Sequence, residues 1–240
     1  MYNNNIDIKN LYKSWNTVLD LLNDRRYNTP EKYIITLEEF TVLYNNDNIN
    51  IYIPPMVLPD DEIEVETKEE KDEKNDKDKL DEKNKNYGGK RVNGIYVDFS
   101  TSQKSLGKAI FKTKITEIFE KYTSEVHVIL VLKNKINNII IKELDKDKNS
   151  NVETFIENKL YYNITKHYLV SQHIPISKKE ANLVLLKYNA TKKQIPKILI
   201  TDPVARYYGM RLGDMCKIIR KNKYIGSIIS YRIVINRDSV

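Results

Sequence analysis

The sequence has 240 residues, enough for one large domain or two small ones, and 40% of them are hydrophobic. Its formal net charge is +7, yet residues 60–85 are predominantly acidic, so the rest of the chain is strongly basic. This balance is typical of a protein that approaches a polyanion such as nucleic acid, although a lysine-rich surface has the same composition. The single cysteine, Cys216, excludes an internal disulfide and a cysteine-based metal site. No apolar run has the length of a membrane span or a signal peptide, so we expect a soluble intracellular protein.

The first elements alternate between helix and strand patterns. A helix is predicted by apolar residues on one face at positions 11, 15, 18, 19 and 22, and residues 24–26 end it. Thr29 is expected to cap a second helix that begins at Pro30. Residues 49–55, INIYIPP, alternate and stop at a double proline, which predicts a short strand.

A charged segment at about residues 59–91 interrupts this pattern, and its lack of residues to bury predicts disorder. Strand-like sequence resumes at residues 95–99, and helical spacing follows up to residue 122. Residues 125–133, EVHVILVLK, form a continuous apolar run that predicts a strand covered on both faces. We therefore predict an N-terminal α/β domain at residues 1–150, interrupted by this charged insertion.

Residues 151–240 are predicted to form a second, smaller domain, so that the whole chain is an α/β (α+β) protein. We expect a short helix at residues 152–158 and a strand around residues 162–169. A further helix should begin after Ser177, whose side chain and that of Glu180 form a capping box. Leu183 and Leu186 are expected to face inward, with Val184 as a further candidate.

The densest local signals lie in residues 200–220, ITDPVARYYGMRLGDMCKIIR. Asp202 is placed to cap a short helix, Pro203 to occupy its first position, and Gly209 to end it in a left-handed conformation. A turn at residues 212–214 then leads into two strands. This arrangement predicts a rigid surface and contains no paired nucleophile and base.

The candidates for catalysis are few. His127 lies in an apolar strand and is expected to be a satisfied core residue, while His167 and His173 lack the spacing of a metal site. Asp98 could be the first acid of a metal-dependent nuclease, but the next strand supplies neither an inward acid nor a Glu-x-Lys pair. We therefore expect no catalytic residue, no metal and no cofactor. A stand-alone nucleic-acid-binding or degenerate nuclease-like protein remains the alternative function.

The C-terminal part of the sequence resembles a known family. TDPVARYYGMRLGDMCKIIR and the following SYRIVI resemble the C-terminal region of the fifth-largest subunit of eukaryotic nuclear RNA polymerases, which polymerases I, II and III share and whose C-terminal domain has an archaeal counterpart. The likeness extends upstream through residues 194–198 and 163–170. It continues more weakly through residues 16–27, 37–40 and 105–115, and leaves out the charged insertion.

The resemblance implies that this chain is a non-catalytic component of DNA-directed RNA polymerase. Its C-terminal domain would be an assembly domain docked on the largest subunit, and its N-terminal domain part of the jaw around downstream double-stranded DNA. It would work beside the other polymerase subunits, without a membrane and not as a homo-oligomer. The implied location is the nucleus, or a cytoplasmic viral factory or virion if the source is a large DNA virus.

Two sets of candidate site residues follow from the resemblance. The partner-binding candidates offer forked guanidinium groups, aromatic rings and a rigid turn: Asp202, Pro203, Arg206, Tyr207, Arg220, Tyr231 and Arg232. Tyr207 would equally well fill the core of the small domain. The DNA-contact candidates are Lys133 and Lys135, in the loop that faces DNA in the family. This loop lacks the proline usual there, but its lysines suit phosphate contact without base reading.

Overall fold

The computed structural model describes residues 2–46, 49–55, 94–99, 108–122, 126–134, 151–222, 224 and 226–236. The chain divides into two compact units. The N-terminal unit comprises Met1–Met56 and Asn93–Asn163, and the C-terminal unit includes Ile164–Val240. Each unit contains one four-stranded mixed sheet, which confirms the expected mixture of α and β structure. The charged insertion at residues 59–91 lies outside the described residues.

The sheet of the N-terminal unit has the strand order β1-β2-β3-β4. These strands are β1 (Asn50–Ile53), β2 (Ile95–Asp98), β3 (His127–Leu132) and β4 (Val152–Ile156). β1 is antiparallel to β2, while β2, β3 and β4 run parallel to one another. Helix α3 (Lys108–Tyr122) joins β2 to β3 and so provides the crossover that a parallel pair requires.

Helices cover this sheet and bury its inner strand β3. Ile115 and Ile118 of α3 pack with Val128 and Leu130 of β3, and every residue of β3 is buried, as its continuous apolar run predicted. Helix α1 (Tyr2–Asp24) is fixed by Trp15. The Trp15 ring centroid lies 5.5 Å from that of Phe40 in α2 (Leu37–Asn45) and 5.3 Å from that of Phe99, which follows β2.

The start of the second helix differs from its prediction. Pro30 precedes only a single 3-10 turn, Glu31–Tyr33, without a side-chain cap. α2 begins instead at Leu37, where Thr36 accepts a hydrogen bond from the Glu39 backbone and the Glu39 side chain accepts one from the Thr36 N–H. This capping box satisfies two N–H groups of the first turn reciprocally, and so sets the helix start later than Thr29 indicated.

The helix expected at residues 152–158 is wrong. These residues form β4, which pairs in parallel with β3 from Val128↔Val152 to Leu132↔Ile156, and then a 3-10 turn, Glu157–Leu160. Because β4 completes the first sheet, the N-terminal unit continues to Asn163, whereas the sequence suggested a boundary at residue 150.

The sheet of the C-terminal unit has the order β5-β7-β8-β6. Its strands are β5 (Gln172–Ile176), β6 (Lys197–Leu199), β7 (Met215–Asn222) and β8 (Gly226–Ile235), and its helices are α4 (Lys178–Lys187) and α5 (Pro203–Tyr207). β7 is antiparallel to β5 and β8, and β6 is parallel to β8. The strand expected at residues 162–169 is wrong, since the chain makes a 3-10 turn at Ile164–Lys166 and the first strand begins at Gln172.

Each face of this sheet has its own apolar cluster. The face covered by α5 contains Ile198, Ala205, Met210, Cys216, Ile218 and Val234, and the face covered by α4 contains Ile176, Val184, Ile195, Met215 and Ile233. The Ser177 hydroxyl accepts a hydrogen bond from the Glu180 N–H at 3.2 Å, which is the Ser177 half of the expected capping box. The inward orientation expected for Leu183 and Leu186 is wrong, because 66% and 77% of their surface is exposed.

None of the helices in the described part of the chain is long and apolar enough to cross a membrane.

Candidate partner-binding and DNA-contact surfaces

The turn at α5 has the cap and termination that its sequence predicted. Asp202 Oδ1 accepts hydrogen bonds from the N–H groups of Val204 at 2.8 Å and Ala205 at 3.4 Å. Pro203 occupies the first helical position, where no N–H is needed. Gly209, with φ of 60°, ends the helix in the left-handed region. These features hold a five-residue helix that would not be stable by itself.

The aromatic and basic candidates on α5 differ in exposure. Only 3% of Tyr207 is exposed, and its ring meets that of Tyr208 edge-on, with centroids 5.2 Å apart. Tyr207 therefore packs in the core of the C-terminal unit and offers a partner little contact area. Arg206 is half-buried and Pro203 is exposed, so both of these residues reach the surface.

The remaining partner-binding candidates lie on opposite faces of the sheet. Arg220 pairs with Ile228, and Arg232 pairs with Cys216, which belongs to the face covered by α5. Directly opposed residues of an antiparallel pair share a face, and alternate residues of a strand do too, so both arginines lie on the α5 face. Tyr231 points to the α4 face, with its ring centroid 6.1 Å from that of Tyr188. The three residues therefore do not form one patch.

Sequence reasoning missed the exposed apolar side chains of the C-terminal unit. They are Tyr168, Leu169, Leu183, Leu186, Tyr188, Leu212, Tyr224, Ile228 and Ile229. The spacing of Leu183 and Leu186 fits a helical face and so predicts that they lie in the core. Their neighbours Val184 and Leu185 face the sheet instead, which leaves the two leucines outside. Exposed apolar side chains mark a surface that binds another protein where several of them adjoin.

The hairpin of β7 and β8 extends beyond the strands beside it. Its two strands pair from Met215↔Ile233 to Asn222↔Gly226. β5 pairs only with residues 215–219 of β7, and β6 pairs only with residues 233–235 of β8. Within the described residues, the outer part of the hairpin is therefore a two-stranded ribbon whose two outer edges are unpaired.

The DNA-contact candidate Lys133 lies directly after β3. Its Nζ is 3.5 Å from Asp7 Oδ2, and both side chains are more than half exposed. An ion pair this long and this exposed stabilises the fold little, about 0–1 kcal/mol, so the structure does not require Lys133 for folding. Lys135 lies outside the described residues.

Asp98, the acid considered for a nuclease, is engaged in the core. The carboxylate is fully buried, and Lys114 Nζ of α3 lies 2.6 Å from its Oδ2. Burial, and then the charge of Asp98, raise the pKa of the neighbouring Tyr96. Among the described residues, no three His, Cys, Asp or Glu side chains are grouped so that they could hold a metal ion.

His127 is part of an ion cluster that ties three elements of the N-terminal unit together. Its Nε2 lies 2.9 Å from Glu153 Oε1 of β4. Arg25, just after α1, donates from Nη1 to Oε1 at 3.0 Å and from Nη2 to Oε2 at 2.8 Å of the same carboxylate. Burial alone would raise the pKa of Glu153, but the charges of Arg25 and His127 hold it well below its usual range. His127 thus has a structural partner.

Comparison with known proteins identifies a family for this chain. The family described as "RNA polymerase Rpb5, C-terminal domain" matches residues 162–234. The chain is 34% identical over 146 residues to "DNA-directed RNA polymerases I, II, and III subunit rpabc1" of Dictyostelium discoideum, a match that covers 60% of this chain and 73% of that protein. It is 42% identical over 84 residues to RPABC1 of Caenorhabditis elegans and of Caenorhabditis briggsae, covering 35% of this chain and 40% of theirs.

These matches confirm the resemblance indicated by the sequence. The family match at residues 162–234 coincides with the C-terminal unit, which contains the capped α5 turn and the β7–β8 hairpin. The names of these relatives describe a subunit, and so a part of a larger enzyme. The chain belongs to the Rpb5/RPABC1 family of subunits shared by DNA-directed RNA polymerases I, II and III.

Proposed function

We propose that this chain is a non-catalytic subunit of a DNA-directed RNA polymerase and acts in transcription in the nucleus. The observation that carries the proposal is the 34% identity to the Dictyostelium subunit over 73% of that protein's length. This chain retains most of the length of that subunit. If it had lost the subunit's function, the retained surfaces would need another role. The Asp98–Lys114 ion pair also favours a structural role for Asp98 over nuclease chemistry.

The C-terminal unit is the proposed docking domain for the largest polymerase subunit. Its α5 turn is already ordered by the Asp202 cap and by Pro203. Binding of a partner to Arg206 would therefore cost little backbone entropy. Arg220 and Arg232 add forked donors on the same face of the sheet. The exposed apolar side chains of this unit supply the surface that burial against a partner would remove from water.

The N-terminal unit is the proposed jaw domain, which faces downstream double-stranded DNA. Lys133 supports this role because it is exposed directly after a fully buried strand, which gives its backbone a fixed position. Lys135 is proposed as its neighbour in the same contact. A lysine ammonium is a point charge, so both contacts would bind phosphate and would not distinguish base sequence.

Affinity purification of the full-length tagged chain tests this function. We expect the largest polymerase subunit and the other subunits to be recovered with it, as identified by mass spectrometry, and the complex to elute far ahead of a 28.3 kDa chain. A matched purification with the tag on an unrelated protein is the control. Elution of the chain alone, with binding to duplex DNA in the absence of polymerase subunits, would overturn the proposal in favour of a stand-alone nucleic-acid-binding protein.

A further inference from the structure

The outer edge of β8 is open along about half of the strand. On the side away from β7, the strand pairs with β6 only at residues 233–235. From Gly226 to Ser230, no strand among the described residues lies on that side. This open edge, residues 226–230, belongs to the two-stranded ribbon at the end of the hairpin.

The backbone direction along this edge follows from one hydrogen bond. The Ile233 N–H donates to Pro196 O at 2.9 Å, so it points towards the β6 side. Because N–H and C=O groups reverse direction at each residue of a strand, those of Ser227 and Ile229 point to the same side. The groups of Ile228 and Ser230 point towards β7. Ser227 and Ile229 therefore present two donors and two acceptors at the open edge.

Residues 226–230 lack two of the features by which proteins discourage edge pairing, proline and charged side chains. The opposite edge of the same sheet, formed by β5, carries Pro175, which removes a donor. Residues 226–230 contain neither proline nor a charged residue. Instead they carry Ile228 and Ile229, 42% and 49% exposed on opposite faces of the ribbon. A strand added here would bury both isoleucines and pair the outward backbone groups.

The charges beside the edge indicate what kind of strand would fit. The described residues of β7 and β8 contain four basic side chains, Lys217, Arg220, Lys221 and Arg232, and no Asp or Glu. Basic residues lie on both faces, because Arg220 and Lys221 are adjacent in one strand. A second copy of this chain would bring like charges together, whereas a strand with acidic residues would pair with them.

We propose that the open edge of β8 binds an extended segment of another polymerase subunit by strand addition. In this segment apolar residues alternate with acidic ones: the apolar residues cover Ile228 and Ile229, and the acidic residues meet the flanking lysines and arginines. Main-chain hydrogen bonds to Ser227 and Ile229 contribute affinity, and the side-chain pattern gives specificity. The inference rests on the proposed function, since it states how the C-terminal unit docks in the polymerase.

Hydrogen exchange at single-residue resolution provides the test. The full-length tagged chain is compared free and within the affinity-purified polymerase, with mass spectrometry and electron-transfer fragmentation as the readout. In the free chain, the amides of Ser227 and Ile229 should exchange fast, while those of Ile228 and Ser230 are protected by β7. In the polymerase, the Ser227 and Ile229 amides should exchange about tenfold or more slowly, which corresponds to about 1.4 kcal/mol.

A pair of variants separates the backbone contact from the side-chain contact. Ile229→Pro removes the outward N–H without removing a hydrogen bond to β7, and Ile229→Ala removes a comparable side-chain surface but keeps the N–H. We expect Ile229→Pro to lower recovery of the polymerase about tenfold relative to Ile229→Ala, with equal melting temperatures of the free chains. If Ile229→Pro does not fold, the exchange measurement on the unmodified chain still tests whether a strand is added at this edge.

The outcomes distinguish this inference from the function on which it rests. Assembly into the polymerase with unchanged exchange at Ser227 and Ile229 overturns strand addition and leaves the subunit role intact. Absence of assembly overturns both. Protection of these amides that rises with the concentration of the free chain would assign the edge to a second copy and overturn the proposed partner.

Discussion

Replacing Glu153 with Gln should destabilise the N-terminal unit by about 3 kcal/mol. Arg25 keeps only 1% of its side chain exposed and makes a forked contact with this carboxylate, while Glu153 itself keeps 25%. Removal of one partner from a buried ion pair typically costs about 3–5 kcal/mol, because the buried charge that remains loses the compensation of that partner. The partial exposure of Glu153 allows water to solvate the remaining charge in part, so we take the lower end of the range.

The same contact should make stability depend on pH in the acid range. The folded pKa of Glu153 is lower than its ordinary value of 4.5, so the folded state favours the carboxylate. This contribution is fully present above about pH 4.5 and is lost as the pH falls towards the depressed folded pKa. The difference between the unmodified chain and Glu153→Gln should therefore be largest near neutral pH and shrink on acidification.

Urea unfolding followed by the fluorescence of Trp15 measures this difference. Trp15 is the only tryptophan of the chain and lies buried in the N-terminal unit, so its signal reports on that unit. Glu120→Gln, on the exposed side of α3, is the matched control and should change stability by less than about 0.5 kcal/mol. A loss below about 1 kcal/mol for Glu153→Gln at neutral pH, or a loss that does not shrink in acid, would refute the reasoning.

Three further outcomes are expected. Asp202→Ala should cost about 1 kcal/mol in a thermal unfolding assay, whereas Asp202→Asn keeps a capping oxygen and should cost only a few tenths. In the reconstituted polymerase, replacing Lys133 and Lys135 by Ala should lower the salt slope of DNA binding by about one unit for each phosphate that is no longer neutralised. The control Asp7→Asn removes the ion pair with Lys133 but keeps both lysines, so it should not lower the slope. An unchanged slope in the double variant would count against a role in binding DNA. Deletion of residues 61–86 should change the free energy of unfolding by less than about 1 kcal/mol. The insertion joins the paired strands β1 and β2, and the entropy of closing such a loop depends only slowly on its length. A larger loss would show that the segment stabilises the fold.

The elements predicted correctly are those whose local signals agree with their tertiary contacts. The continuous apolar run around β3 indicated a strand buried on both faces, and all six of its residues are buried. Asp202, Pro203 and Gly209 specify a helical turn by chemistry that operates within a few residues. Such signals do not depend on what lies elsewhere in the chain, so they could be read without a structure.

The errors occur where pairing partners distant in sequence decide the conformation. Val152, Phe155 and Ile156 have the spacing of a helical face, but parallel pairing with β3 holds them as β4. Leu183 and Leu186 have the spacing of a core face, but Val184 and Leu185 are the residues of α4 that pack on the sheet. The position of Tyr207 in the core was one of two interpretations that the sequence left open, since aromatic residues serve both cores and interfaces.

The reactivity of Cys216 reports on opening of the C-terminal unit. It is the only cysteine in the chain, its side chain is fully buried in the α5-side cluster, and burial raises the pKa of its thiol to about 11. Since the thiolate is the reactive form, an alkylating reagent should modify this residue almost only when the unit opens. The alkylation rate then measures how often opening occurs, and binding that requires a closed C-terminal unit should slow it. Pulse alkylation could therefore follow the capture of this subunit by its partners as they assemble, without an engineered label.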